Sequence, residues 1–182
     1  MKDIQLALND VAASSHRGAA FLVAFGTTWI VCGLLAYFLP AEDLALAVMF
    51  QGALGVPMAF GLQILFRFPV GHPKNPLISL SIYLAMTQTV AIPAAVLTYV
   101  RTPTMVPAVC AAILGAHFLP YAWLQQTRVY IALSVGVSLG SWLVMAIFGE
   151  NGYRIVPWFV GGSLLIGGVT LLANSPWKKS VR

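Results

Sequence analysis

Charged side chains are scarce in this sequence: five Asp and Glu and ten Lys and Arg among 182 residues, or 8%, where a soluble domain carries roughly a quarter. So few charges cannot cover a globule of this size, and lipid must form most of its surroundings. Acids are scarcest where chemistry would need them. Asp3 and Asp10 lie near the N-terminus, and Glu42, Asp43 and Glu150 lie in breaks between apolar runs. That placement argues against proton coupling through an intramembrane carboxylate, a carboxylate-held divalent ion and a phosphotransferase site.

Other ingredients are also missing. The only cysteines, Cys32 and Cys110, both sit inside apolar runs, which supports neither a disulfide framework nor a zinc cluster and fits small packing residues. His16, His72 and His117 do not pair at helical spacing, so a haem or a helical zinc site lacks its ligands. Gly161-Gly162-Ser163 is too short to signal a membrane serine protease, and no G-x-S-x-G elbow occurs. No catalytic residue, metal site or cofactor is assigned.

Hydrophobic residues make up 59% of the chain. They fall into six runs without charge, each of 21 to 26 residues: 18–41, 44–66, 75–100, 102–127, 129–149 and 155–177. A helix of about 20 apolar residues spans the hydrocarbon core, where every backbone polar group must be bonded internally. The expected fold is therefore all-α, a polytopic bundle of six spans. It divides into an N-terminal cytoplasmic segment 1–17, a transmembrane domain 18–177 and a basic tail 178–182. The N-terminal segment carries both signs of charge, and the first run is longer than the core of a cleaved signal, so the first run reads as a retained span. Pro57, Pro93, Pro107 and Pro120 fall within runs, where a kink or a neighbouring helix must absorb the lost hydrogen bond.

Basic residues give the orientation. With the N-terminus inside, the cytoplasmic segments hold Lys2, Arg17, Arg67, Lys74, Arg128, Lys178, Lys179 and Arg182, eight in all, and the outer loops hold two, Arg101 and Arg154. Both termini are expected in the cytoplasm of a multi-pass cell-membrane protein, of the bacterial inner-membrane kind. The same scatter of bases along the chain argues against nucleic acid, which needs them clustered on one face.

Small residues let membrane helices approach closely. Gly136, Gly140 and Ser141 in the fifth run, and Gly161, Gly162, Ser163, Gly167 and Gly168 in the sixth, predict the tightest contacts at these two spans. Gly136, Gly140, Gly161 and Gly168 are also candidate contacts for a second copy or a membrane-complex partner. A faint echo links Ala36-Tyr-Phe-Leu-Pro40 with Ala116-His-Phe-Leu-Pro120, the offset an inverted repeat of three spans would give.

One ionisable residue falls at membrane depth. With a fourth helix from about Met105 to Gln125, His117 lies two residues past the centre, and Tyr121 and Gln125 follow on the same face. Alternatively, the helix ends or bends at Pro120 and residues 121–128 form a polar, aromatic interface with headgroups. The second arrangement is favoured, because the connection to the next run is otherwise very short. Gln51, Gln88 with Thr87 and Thr89, and Thr27 with Thr28 are the other polar residues within runs, and they should face neighbouring helices.

The stretches Asn75-Pro-Leu and Gly115-Ala-His-Phe-Leu-Pro-Tyr-Ala-Trp-Leu-Gln-Gln-Thr127 resemble a family of small bacterial multi-span membrane proteins of unassigned function. The family block is similar to Gly-Ala-His, two apolar residues, Pro, an aromatic, a small residue, Trp and Leu, and each place is filled here. Gln125 stands where Tyr is expected, and Thr87-Gln88 where Asn-Gln is expected. The resemblance implies membrane location and no activity. The leading expectation is a small transporter, permease or channel-like protein in which His117, Tyr121, Gln88 and Gln51 line a polar, ligand-binding cavity. Its rival is a non-catalytic accessory subunit of a membrane complex; an intramembrane enzyme comes third.

Overall fold

In the computed structural model, residues 2–69 and 71–174 are described; the basic tail, with Lys178, Lys179 and Arg182, lies outside them. Among the described residues the chain is helical, without strands. The helices are α1 (Lys2–Ser14), α2 (Ala19–Leu35), α3 (Ala41–Phe50), α4 (Gly52–Leu65), α5 (Pro76–Arg101), α6 (Val106–Leu124), α7 (Val129–Phe148) and α8 (Gly152–Ala173). Five continuous helical stretches are long and apolar enough to cross a membrane, and the last of them, Val129–Ala173, joins α7 and α8 through the turn Gly149–Asn151. α3 and α4 make a single candidate span, Ala41–Leu65, interrupted at Gln51. Gly52, Gly55 and Pro57 follow within six residues of the break, the composition in which helices kink.

The centre of the bundle is α2, α6, α7 and α8, with the chain's first long helix packed along its last. Glycine explains how close that packing is. A Cβ on Gly161 of α8 would lie 2.9 Å from the Gly26 carbonyl of α2, one on Gly33 would enter the Trp158 ring, and one on Gly168 would meet Val23. The tightest glycine contacts thus include α8 as expected, but α2 is the partner across that face. α7 uses its small residues mainly against α6: a Cβ on Gly115 would fall 2.8 Å from the Ser138 backbone nitrogen and 2.9 Å from the Ser134 carbonyl. Between α7 and α8, Gly140 lies under the Phe159 ring and Gly167 against Leu133. Gly136 faces open space.

α5 is peripheral and packs chiefly on α6. Its less exposed positions, Ser81, Leu84, Gln88, Ala91 and Ala95, recur at three- and four-residue steps and mark a single contact stripe. The rest of its surface is open and mostly apolar, including Tyr83, Met86, Val90 and Leu97, and Thr87 and Thr89 are exposed on it and do not face a neighbouring helix as expected.

The N-terminal segment folds as α1, whose thirteen residues are too few to span a bilayer. Leu8, Val11 and Ala12 are buried, and the first two join Leu124, Leu77 and Ile78 in a small cluster under α5 and α6. α1 then turns into α2 through Gly18, at φ 76°. Tyr130 donates a hydrogen bond to the Arg17 carbonyl at 2.7 Å, and its hydroxyl crowds the place where a Gly18 Cβ would stand. Both the left-handed backbone and this contact require glycine there. Finally, the echoed pentapeptides have different structures: Ala36–Leu39 forms the turn after α2, whereas Ala116–Pro120 is helical within α6.

Candidate functional site

Of the end or bend expected at Pro120, the end is corrected: α6 continues through Pro120 to Leu124. The connection to α7 is as short as that expectation had judged difficult, and a Schellman-type end makes it possible. Gln126 takes the left-handed position (φ 50°), its N–H bonds the Trp123 carbonyl, and Thr127 N–H reaches back to the Ala122 carbonyl at 3.1 Å. His117 therefore sits inside α6, two residues past the middle of Val106–Leu124.

The His117 imidazole is half-buried on the α6 face turned to α5, where the Leu84 backbone carbonyl is its polar neighbour. Its Nδ1 is buried and has no hydrogen-bond partner among the described residues. The Tyr121 ring lies 4.8 Å away, centroid to centroid, and continues to Tyr130 at 6.0 Å. The Tyr121 hydroxyl donates to the Ser81 carbonyl of α5. Ser81 and Leu84 thus face Tyr121 and His117 at successive turns, and Gln88 follows one turn on along the same α5 stripe.

The four sequence-derived residues divide accordingly. His117 and Tyr121 come together, Gln88 shares the α5 face that meets them, and Gln51 is engaged elsewhere, accepting a hydrogen bond from Thr28 of α2. Thr28 also bonds the Phe25 carbonyl, so the pair ties the interrupted α3–α4 span to α2.

A second polar cluster, at the α1 end of the bundle, has no counterpart in the reading of apolar runs. Asp10 of α1 accepts hydrogen bonds from the His72 backbone N–H at 3.0 and 3.2 Å and from Asn75 Nδ2 at 2.8 Å. Asn75 Nδ2 also donates to the Ala7 carbonyl at 2.8 Å, while its Oδ1 caps α5 by accepting from Leu77 N–H at 3.0 Å. Pro76 begins the helix, where a missing N–H costs nothing. The hydrogen bond from Asn75 holds the Asp10 carboxyl below the usual range; partial burial opposes it, and the His72 N–H adds to it. Nearby, His16 stacks on Phe68 at 4.0 Å, and Ser15 Oγ donates to the buried Gln125 at 3.2 Å. The Asn75-Pro76 pair was the available signal, since it is also a helix-start signature. Trp29, 1% exposed in α2, has an indole N–H without a partner among the described residues, and an apolar run gives no sign of that.

A family model matches residues 4–174, which takes in α1, the polar cluster and His117 together. The chain belongs to DUF7010, a family of unknown function. The matched span shows that the amphipathic N-terminal helix is part of the family's unit and not an appendage. Neither a curated protein nor a solved structure matches the chain.

Proposed function

We propose that this DUF7010 protein crosses the cytoplasmic membrane six times with both termini inside, and that it admits a small polar solute at the α5–α6 seam as a small permease or channel-like protein does. For the topology, α7 and α8 have twenty and twenty-two residues, each close to the thickness of a hydrocarbon core at the helical rise. The α1 segment, the loop around His72 and the α6–α7 turn converge at one end through the Asp10, Ser15 and Tyr130 bonds, which suits the basic bias. Single cysteines placed at Glu42, Arg101 and Asn151 should react with an impermeant maleimide from outside, and one at His72 should not. Native Cys32 is buried and Cys110 half-buried. Labelling at His72 from outside would reverse the orientation.

The solute reading is carried by His117, whose buried Nδ1 lacks a partner among the described residues. Leaving a buried polar atom unpaired costs on the order of 1–3 kcal/mol, a cost that a bound polar solute would remove. α5, attached along one stripe, is the element whose movement opens the seam. The test is shrinkage and re-swelling of proteoliposomes challenged with small neutral solutes such as glycerol and urea. At least one should enter several-fold faster than into empty liposomes, and His117→Phe should abolish the difference while preserving the folded protein in detergent. Equal rates with and without protein, or an unaffected His117→Phe, would remove the reading. An accessory-subunit role is the second reading, favoured by Gly136, which is open on the outer face of α7 with Ala132 one turn before it. In that case crosslinks from position 136 in native membranes should capture a partner chain.

A further inference from the structure

We infer that the groove at the turn between α6 and α7 is a binding site for one anionic phospholipid. The groove has a volume of about 410 Å³ and is lined by Leu119, Trp123, Gln126, Thr127, Arg128 and Ile131, together with Ala122. Its two ends differ in chemistry. Leu119 and Ile131 lie toward the spans, one on each helix, and are exposed at 56% and 45%, so they offer an apolar wall at acyl-chain depth. Gln126, Thr127 and Arg128 form the turn itself, at the level where headgroups lie.

Charge commits the site to an anion. Arg128 is exposed and forms no ion pair among the described residues, whereas the five acids lie on α1, at the start of α3 and in the α7–α8 turn. Its guanidinium is free to take a phosphate bidentately. Trp123, 53% exposed at the mouth, places an amphipathic ring at the same boundary. Gln126 carries its side chain to the groove from a left-handed backbone position that glycine would occupy without strain. On the proposed orientation this end faces the cytoplasmic leaflet, where anionic lipids hold a negative surface potential. The site depends on membrane placement and is independent of His117.

The measurement is native mass spectrometry of detergent-purified protein titrated with phosphatidylglycerol or with phosphatidylcholine of the same chains. Wild type should retain phosphatidylglycerol in preference to phosphatidylcholine. Arg128→Gln should lower that retention by about fivefold, the scale of one basic residue at an anionic surface. Leu119→Trp, which fills the apolar end and leaves Arg128 in place, should lower it as well. Arg101→Gln, at the other end of the bundle, should not. Added glycerol phosphate at millimolar concentration should leave the retained lipid in place, because it lacks the chains that Leu119 and Ile131 contact; displacement would make the site one for a free phosphate compound. Equal retention of both lipids, or full phosphatidylglycerol retention in either groove variant, would overturn the assignment.

Discussion

Asn75→Ala should release α1 from the bundle while leaving the long helices assembled. The substitution removes the cap of α5 and two hydrogen bonds from a side chain that is 8% exposed. The lost cap weakens the start of α5 by about 1 kcal/mol, and the two bonds to α1, at about 0.5–1.5 kcal/mol each, hold it by roughly 1–3 kcal/mol. α1 otherwise rests on a small cluster around Leu8 and Val11, so this loss should appear as local opening and not as global unfolding. Amide exchange in residues 8–14 should speed up by about 5- to 150-fold, the conversion of that energy into an equilibrium constant. Exchange in α8 should not change. An unchanged α1 would mean that the clamp contributes nothing.

Acid should produce the same release. Asp10 has a folded pKa below its unfolded value, so the stability it contributes is fully present above the ordinary carboxylate value of about 4 and disappears as pH falls through the lower, folded value. Wild-type α1 should therefore exchange faster in strong acid. Asp10→Ala should flatten that dependence by being loosened at every pH.

The second large effect belongs to Gly115, where α6 and α7 meet at backbone distance. A Cβ there lies within 3 Å of the Ser138 nitrogen and the Ser134 carbonyl, and neither can rotate away as a side chain would. The helices must move apart, weakening dispersion contacts along their length and the Ser138 bond to the Ala112 carbonyl, now 3.3 Å. Overpacking of this kind costs about 1–3 kcal/mol for one carbon, and Gly115→Val should exceed Gly115→Ala. Gly136→Ala is the comparison: the same change on α7 meets open space and should be neutral or stabilising, since alanine favours a helix over glycine by up to about 1 kcal/mol. Thermal unfolding of the three variants in one detergent checks the order. If Gly115→Ala melts with wild type, the close approach is not what holds α6 to α7.

These residues also mark what can be read from the chain. Apolar run length locates every long helix, because in lipid the backbone must satisfy itself and composition alone signals it. His117 stands out by the rule that polar groups at depth are costly, and its distance from the span centre agrees with the structure. Its surroundings differ from expectation where Pro120 reads as a stop. Proline removes one hydrogen bond, and a membrane helix flanked by neighbours tolerates the loss. Pairing between helices is the least legible. Gly136 and Gly140 look alike in sequence, yet one is open and the other lies under Phe159, a distinction set by helix rotation that a run of apolar letters does not record. The α1 clamp is hidden for a related reason: Asp10 bonds to His72 and Asn75 more than sixty positions away, and such a partnership leaves no local pattern.

The pairing of α2 with α8 has a consequence for how the protein is made. Gly26 and Gly161 are 135 positions apart (161 − 26), so α2 meets its main neighbour only once α8 has been synthesised. Until then Gly26 and Gly33 lack Leu165 and Trp158 against them. α6 and α7, joined by four residues, can zip together as they emerge. Assembly of the bundle therefore includes a late closure of α8 on α2, and a ribosome that stalls before α8 leaves α2 with its glycine face uncovered.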